Sequence, residues 1–97
     1  MTGKQRAYLR GLANGLETIL TVGKGGLSEN VIKQADEALT ARELIKGRVL
    51  EASLLSAAEA CQALAEATGA ESIQSIGSRF VLYRPHPTEP KIRLPRG

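Results

Sequence analysis

The spacing of apolar positions switches along this chain between the helical repeat and the two-residue repeat of a strand. Over residues 3–14, Tyr8, Leu9, Leu12 and Ala13 form an apolar stripe, while Lys4, Arg6 and Arg10 take other positions of the turn. This predicts a short helix, stopped by Asn14-Gly15 acting as a left-handed pair. Leu16 to Val22 predicts a strand, with Leu16, Thr18, Leu20 and Val22 on one side. Glu17, Ile19 and Thr21 lie on the other side, and Ile19 implies that this side is partly covered too. Gly23-Lys24-Gly25-Gly26 then interrupts the pattern. Beyond it, Ser28 suits a helix N-cap and Glu29 suits the positive end of the helix dipole. Val31, Ala35, Ala38 and Leu39 share one face, with Ile32 beside them, so a helix should run to about Arg42.

Glu43 to Glu51 reads as a second strand, with Ile45, Gly47 and Val49 on one face and Leu44, Lys46, Arg48 and Leu50 on the other. Ser56 to Thr68 is alanine-rich and strongly helical. Ser56 and Glu59 match a capping box, Ala57, Ala60, Cys61, Leu64 and Thr68 form the buried stripe, and Gly69 is the expected stop. Glu71–Ile76 and Arg79–Arg84 read as two strands joined at Gly77-Ser78, a hairpin signal. Phe80 and Leu82 face one side, Val81 and Tyr83 the other. Four prolines after Arg84 exclude a regular helix there. Lys91–Pro95 either adds a short edge strand or stays extended.

The order is therefore helix, strand, helix, strand, helix, strand, strand. Strand–helix–strand implies a right-handed crossover between parallel strands, and the hairpin adds an antiparallel pair. The predicted fold class is α/β: a two-layer α-β-α-β-α-β-β domain with a mixed four-stranded sheet. At 97 residues the chain makes one domain, 1–97, with a core of about 2–84 and a proline-rich extended tail, 85–97. It shows no internal repeat and no linker.

Composition narrows the chemistry. Trp is absent, and one Phe and two Tyr argue against an aromatic base-stacking platform. The single cysteine, Cys61, can form no disulfide within the chain and no zinc site with the single histidine. On its alanine-rich stripe Cys61 reads as a core residue, and His86, between two prolines, as exposed and inert. No apolar run has the length of a signal peptide core or a membrane span, so the expectation is a cytoplasmic protein with no membrane partner.

The net charge of +3 is unevenly distributed. Residues 1–27 carry four bases against one acid, residues 28–72 four bases against eight acids, and residues 73–97 five bases against one acid. If the fold joins the ends, the molecule has a basic face and an acidic back, the electrostatic footprint of a nucleic-acid binder.

Two readings of Gly23–Gly26 stand side by side: a tight structural turn, or a cradle whose N–H groups approach a phosphate, with Lys24 at its tip and a helix N-terminus behind. It is neither a Walker A loop nor a dinucleotide fingerprint. Lys4, Arg6 and Arg10 form either a solvated helix face or a phosphate contact, with no acid between them. Lys46 and Arg48 share a strand face and are either edge positions with snorkelling stems or RNA contacts. Arg79 and Arg84 flank the last strand. Tyr8 and Tyr83 fit half-buried packing better than base stacking.

Together these motifs resemble the YhbY type of the CRM domain (chloroplast RNA splicing and ribosome maturation). The matching stretches are Lys4-Gln5-Arg6-Ala7-Tyr8-Leu9-Arg10, Val22-Gly23-Lys24-Gly25-Gly26-Leu27, Ala41-Arg42-Glu43-Leu44-Ile45-Lys46, Ile76-Gly77, Val81-Leu82-Tyr83-Arg84 and Ile92-Arg93-Leu94-Pro95. The resemblance implies a fold similar to the C-terminal domain of bacterial translation initiation factor three. It implies RNA binding through the G-x-x-G loop and neighbouring basic residues, with Arg84 favoured over Arg79 by its motif. Stand-alone bacterial members are associated with precursors of the large ribosomal subunit, and a bare single domain without a transit peptide looks like that kind. Gly47 departs from the pattern, since family strands usually carry a β-branched apolar residue there. The expectation is a locally thin or bulged strand and a stability loss of about 1 kcal/mol against a well-fitting residue.

The expected function is RNA binding, to ribosomal RNA in a pre-large-subunit particle, by a monomer without cofactor, metal, small-molecule substrate or catalytic residue. The expected contacts are Gly23, Lys24, Gly25, Gly26, Lys4, Arg6, Arg10, Lys46, Arg48 and Arg84. The alternative is a protein-interaction module whose acidic middle docks on a basic ribosomal protein. A nucleotide-using enzyme fits less well, because no metal-binding acid pair or general base accompanies the loop.

Overall fold

The computed structural model describes residues 1–96. Helices α1 (Gly3–Ala13), α2 (Glu29–Arg42) and α3 (Ala57–Thr68) alternate with strands β1 (Thr18–Val22), β2 (Leu44–Val49), β3 (Glu71–Ile76) and β4 (Arg79–Tyr83). The strands form one mixed sheet in the order β1-β2-β4-β3. β1 and β2 run parallel across the α2 crossover, and β4 lies antiparallel to both β2 and β3. The predicted class, element order and mixed sheet are thus borne out. The layering is fuller than two. α2 and α3 cover one face with the main core, built on Leu20, Val22, Leu39, Ile45, Leu64, Phe80 and Leu82. α1 covers part of the other face with a smaller core of Leu9, Ala13, Leu44, Ile73, Val81 and Tyr83.

The helix boundaries follow from capping. Thr2 and Gln5 form a capping box on α1 that the sequence reading did not include. The Ser56–Glu59 box and the left-handed Gly69 bound α3 as expected. α1 ends differently from expectation: Asn14 is right-handed, and its N–H is shared between the carbonyls of Arg10 and Gly11 at 3.3 Å. The α1 stripe is also narrower than predicted. Only Leu9 and Ala13 are buried, while Tyr8 and Leu12 stay largely exposed, because the helix meets the sheet along a single ridge.

Two β-bulges adjust the faces. The β1–β2 register slips between Thr18 and Leu20, so that Thr18 lies opposite Lys46 and Leu20 opposite Gly47. Thr18 and Leu20 therefore do not share a face as predicted, and Ile19 in the bulge is exposed. A second slip, between Ser72 and Gln74, interrupts the β3–β4 pairing. At Gly47 the expectation of a thin core is corrected. Its cross-strand partner is Phe80, and a Cβ on Gly47 would lie only 2.4 Å from the ring's Cζ. The ring fills the space that a side chain would take, so the bulge falls on the neighbouring strand and the core is full.

The tail adds no strand, yet it is held firmly. Ile92 and Leu94 pack against the α1-side core, and Gln5 Nε2 donates to the Pro95 carbonyl at 3.0 Å. Its main anchor is Glu43, a buried carboxylate with φ 65° at the junction of α2 and β2. That carboxylate accepts N–H bonds from His86 (2.8 Å), Lys91 (2.7 Å) and Ile92 (3.0 Å). Burial pushes its pKa up, but these three N–H groups outweigh burial and hold it below the usual carboxylate value. His86 is not inert: its Nδ1 accepts from the N–H groups of Thr88 and Glu89 and closes the turn. Packing of the tail brings both basic chain ends onto one face.

Candidate nucleic-acid interface

The glycine loop joins the C-terminal end of β1 to α2. Gly26 N–H donates to the Gly23 carbonyl at 3.0 Å, so Lys24 and Gly25 form the corner of a turn, and both are exposed. Gly26 is left-handed (φ 66°), a conformation that glycine adopts without the Cβ penalty. A Cβ on Gly25 would meet nothing within 4 Å, so this corner of the turn is open to an approaching group. Behind it, Ser28 Oγ accepts the Val31 N–H of α2, while Glu29 in the first turn offsets part of the positive helix end. The anion-attracting charge of the loop thus rests mainly on Lys24.

Next to this loop, a row of side chains crosses the sheet. Thr21 of β1 pairs with Arg48 of β2, Arg48 with Arg79 of β4, and Arg79 with Ile76 of β3. All four are exposed. They lie on the face opposite Gly47 and Phe80, which is the face that α1 and the tail only partly cover. The exposed bases Lys4 and Arg10 of α1 and Lys91 and Arg93 of the tail belong to the elements on this side. Most of the acids of the middle segment, including Glu29, Asp36, Glu37, Glu59 and Glu66, belong to α2 and α3 on the other side. The charge asymmetry along the chain becomes an asymmetry between faces.

Not every candidate is available to a ligand. Arg6 is half-buried: its guanidinium donates to the Ser72 carbonyl and lies 3.8 Å from the Glu71 carboxylate. Lys46 Nζ donates to the Ala13 carbonyl at 3.4 Å, which caps the end of α1. Arg84 is committed most fully. Its guanidinium donates to Asp36 Oδ1 (2.6 Å), the Thr68 carbonyl (2.7 Å), the Asp36 carbonyl (3.0 Å) and Thr40 Oγ1 (2.8 Å). Its backbone N–H donates to the Glu43 carbonyl, which places it at the end of the sheet away from the glycine loop. It is a clamp between α2 and α3. Arg79 had the weaker motif but stands beside Arg48; its exposed, alternating position in β4 was the signal for it in the sequence.

A small α/β domain with a basic glycine loop at one sheet end and cations gathered on one face defines the class. The family model for the CRS1 / YhbY (CRM) domain matches residues 1–84, and the chain belongs to that family. It is 42% identical over 95 residues to a Bacillus subtilis (strain 168) relative named Probable RNA-binding protein YqeI, covering 98% of this chain and 99% of the relative. It is 38% identical over 96 residues to a Haemophilus influenzae RNA-binding protein, covering 99% of this chain and 96% of that one. SAV1595 of Staphylococcus aureus, whose solution structure presents it as a candidate RNA binding protein, superposes with a TM-score of 0.81 at 46% identity, covering 98% of this chain and 99% of that chain.

Proposed function

We propose that the protein is a non-catalytic RNA-binding module that engages ribosomal RNA in precursors of the large ribosomal subunit as an assembly factor. The observation that carries this reading is the single cationic face, with Lys24, Arg48 and Arg79 at one sheet end and Lys4, Arg10, Lys91 and Arg93 on the elements beside it. The family relatives named as RNA-binding proteins support the ligand class. In this mechanism an RNA phosphate meets the Lys24 corner, and the arginine pair and α1 bracket the backbone. Such contacts read shape more than sequence. The protein acts as a monomer in the cytoplasm and uses no cofactor.

The test is binding of structured ribosomal RNA by Lys24→Ala and Gly25→Asp, neither of which touches a buried group. Affinity falling several-fold in both, and falling further as salt rises, fits the mechanism. Folded variants that bind as tightly as wild type would exclude the loop as the contact. The exposed acids on α2 and α3 favour a second reading, in which that side docks on a basic ribosomal protein. Cross-linking in cells that captures only protein would select it.

A further inference from the structure

The sheet end that carries the glycine loop also carries a groove of about 260 Å³, formed between the β2–α3 connection and the β3–β4 turn. Val49, Leu50 and Leu55 give it an apolar lining, and Glu51, Ser53 and Ser78 supply polar groups. Leu50 joins the groove to the loop: its N–H donates to the Val22 carbonyl at 2.8 Å, and its Cδ1 lies 3.6 Å from where a Cβ on Gly23 would stand. Ser53 Oγ accepts the Leu55 N–H, an arrangement that leaves its hydroxyl hydrogen available to donate. Leu54, between two lining residues, is 98% exposed, and Ile76, beside the turn, is 66% exposed. Apolar side chains this exposed, gathered around one groove, mark a contact surface.

We infer that this groove takes one unpaired nucleobase of the RNA strand whose phosphate lies at the Lys24 loop. The inference rests on the RNA-binding reading and adds to it a base-contacting subsite. Four features fix the occupant. The apolar lining and the Glu51 carboxylate repel a phosphate but suit the flat face and amino edge of a base. The volume is below the roughly 300–1,000 Å³ of pockets for whole small-molecule ligands, and fits a fragment such as one base. Lys24, Arg48 and Arg79 nearby repel a basic peptide, while an apolar peptide would strip water from Glu51 without pairing it. Leu54 and Leu50 offer the apolar contact that this aromatic-poor chain cannot make with a ring. The carboxylate further selects bases with an amino group over uracil, whose single edge N–H is flanked by two carbonyls.

The experiment compares three RNAs at one salt concentration by fluorescence anisotropy: a blunt fully paired duplex, the same duplex with one bulged cytidine, and the same with one bulged uridine. Wild type should bind the cytidine bulge about tenfold more tightly than the blunt duplex, with the uridine bulge in between. Leu54→Ser and Glu51→Gln, both on the surface, should each reduce that preference to about twofold, with blunt-duplex binding unchanged in Leu54→Ser and slightly tighter in Glu51→Gln, which removes a negative charge. Equal wild-type affinity for blunt and bulged duplexes overturns the groove and leaves the RNA reading standing, as does a preference that survives both substitutions. No binding to any of the three overturns the RNA reading and the subsite with it.

Discussion

Gly47→Ala tests how the main core is built. The added Cβ would lie 2.4 Å from Phe80 Cζ and 2.7 Å from Cε2, closer than non-bonded carbon atoms sit, and 3.0 Å from Cε1, tighter than nearly all such contacts. Phe80 is 1% exposed and belongs to the same packed cluster as Leu20, Ile45 and Leu82, so its ring cannot swing into solvent. Overpacking of this kind costs about 1–3 kcal/mol, and a contact with a confined ring belongs at the upper end. Replacing Gly by Ala restricts the unfolded chain, which returns roughly 0.4–1 kcal/mol. The net expectation is a loss of about 2 kcal/mol, or a midpoint lower by roughly 10 °C for a domain of this size. Gly47→Val should lose more, the reverse of what strand propensity predicts. Urea and thermal unfolding followed by far-UV circular dichroism measure both. Adding Phe80→Leu to Gly47→Ala should recover part of the loss, so the two changes should be strongly non-additive. An unchanged or raised midpoint for Gly47→Ala, with an unchanged urea m-value, would refute the reasoning and return Gly47 to the status of a weak point in β2.

Other outcomes follow from the clamp, the tail and the cationic row. Arg84→Ala should destabilise the protein by about 2–3 kcal/mol, because it removes charge-assisted bonds between α2 and α3, while RNA affinity of the folded fraction stays at the wild-type level. Chemical denaturation beside a binding titration separates the two effects. Glu43 has a lowered folded-state pKa, so its stabilisation is complete above the ordinary value of 4.5 and is lost as pH falls through the lower folded value. Protection of the His86, Lys91 and Ile92 amides, taken as the exchange rate relative to an unstructured chain at the same pH, should therefore fall in acid for wild type and be low at neutral pH in Glu43→Ala. Arg48→Ala and Arg79→Ala should each weaken RNA binding and lower the slope of log affinity against log salt by roughly 0.7–0.9. A slope equal to wild type in both would remove the sheet row from the interface.

Local pattern made most of the elements legible. Ser28, the Ser56–Glu59 pair and Gly69 mark helix ends through contacts within a few residues, and these stood where the sequence placed them. What stayed hidden depends on distant partners. Gly47 looked like a defect because Phe80, which makes glycine necessary there, is 33 residues away. Glu43 looked like an ordinary acid after a helix, because its three donors lie in a segment whose prolines gave no periodic signal. At the candidate site, glycine spacing made the turn at Lys24 legible but left its use open, and the flanking charge and the family resemblance pointed it towards a phosphate. The roles of Arg6, Lys46 and Arg84 were not, since charge in a sequence does not reveal whether a guanidinium ends in water or against a carbonyl. The pairing of Arg48 with Arg79 needed the sheet register, which sequence pattern left open.

The anchored tail has a consequence for the order of events during synthesis. Leu9 and Ala13 are among the first residues made, but the α1-side core also needs Ile92 and Leu94. The Glu43 carboxylate gains its first tail donor with His86, and its set is complete only once Lys91 and Ile92 have emerged. The α2–α3 side is complete once β4 has supplied Phe80 and Leu82, whereas the α1 side also waits for the tail. Residues beyond 84, the end of the stretch matched by the family model, thus supply part of the packing and hydrogen bonding of this side. A released chain that ended at Arg84 would expose an apolar patch around Tyr83 and Val81 and a carboxylate without donors, features of the kind that chaperones and proteases recognise.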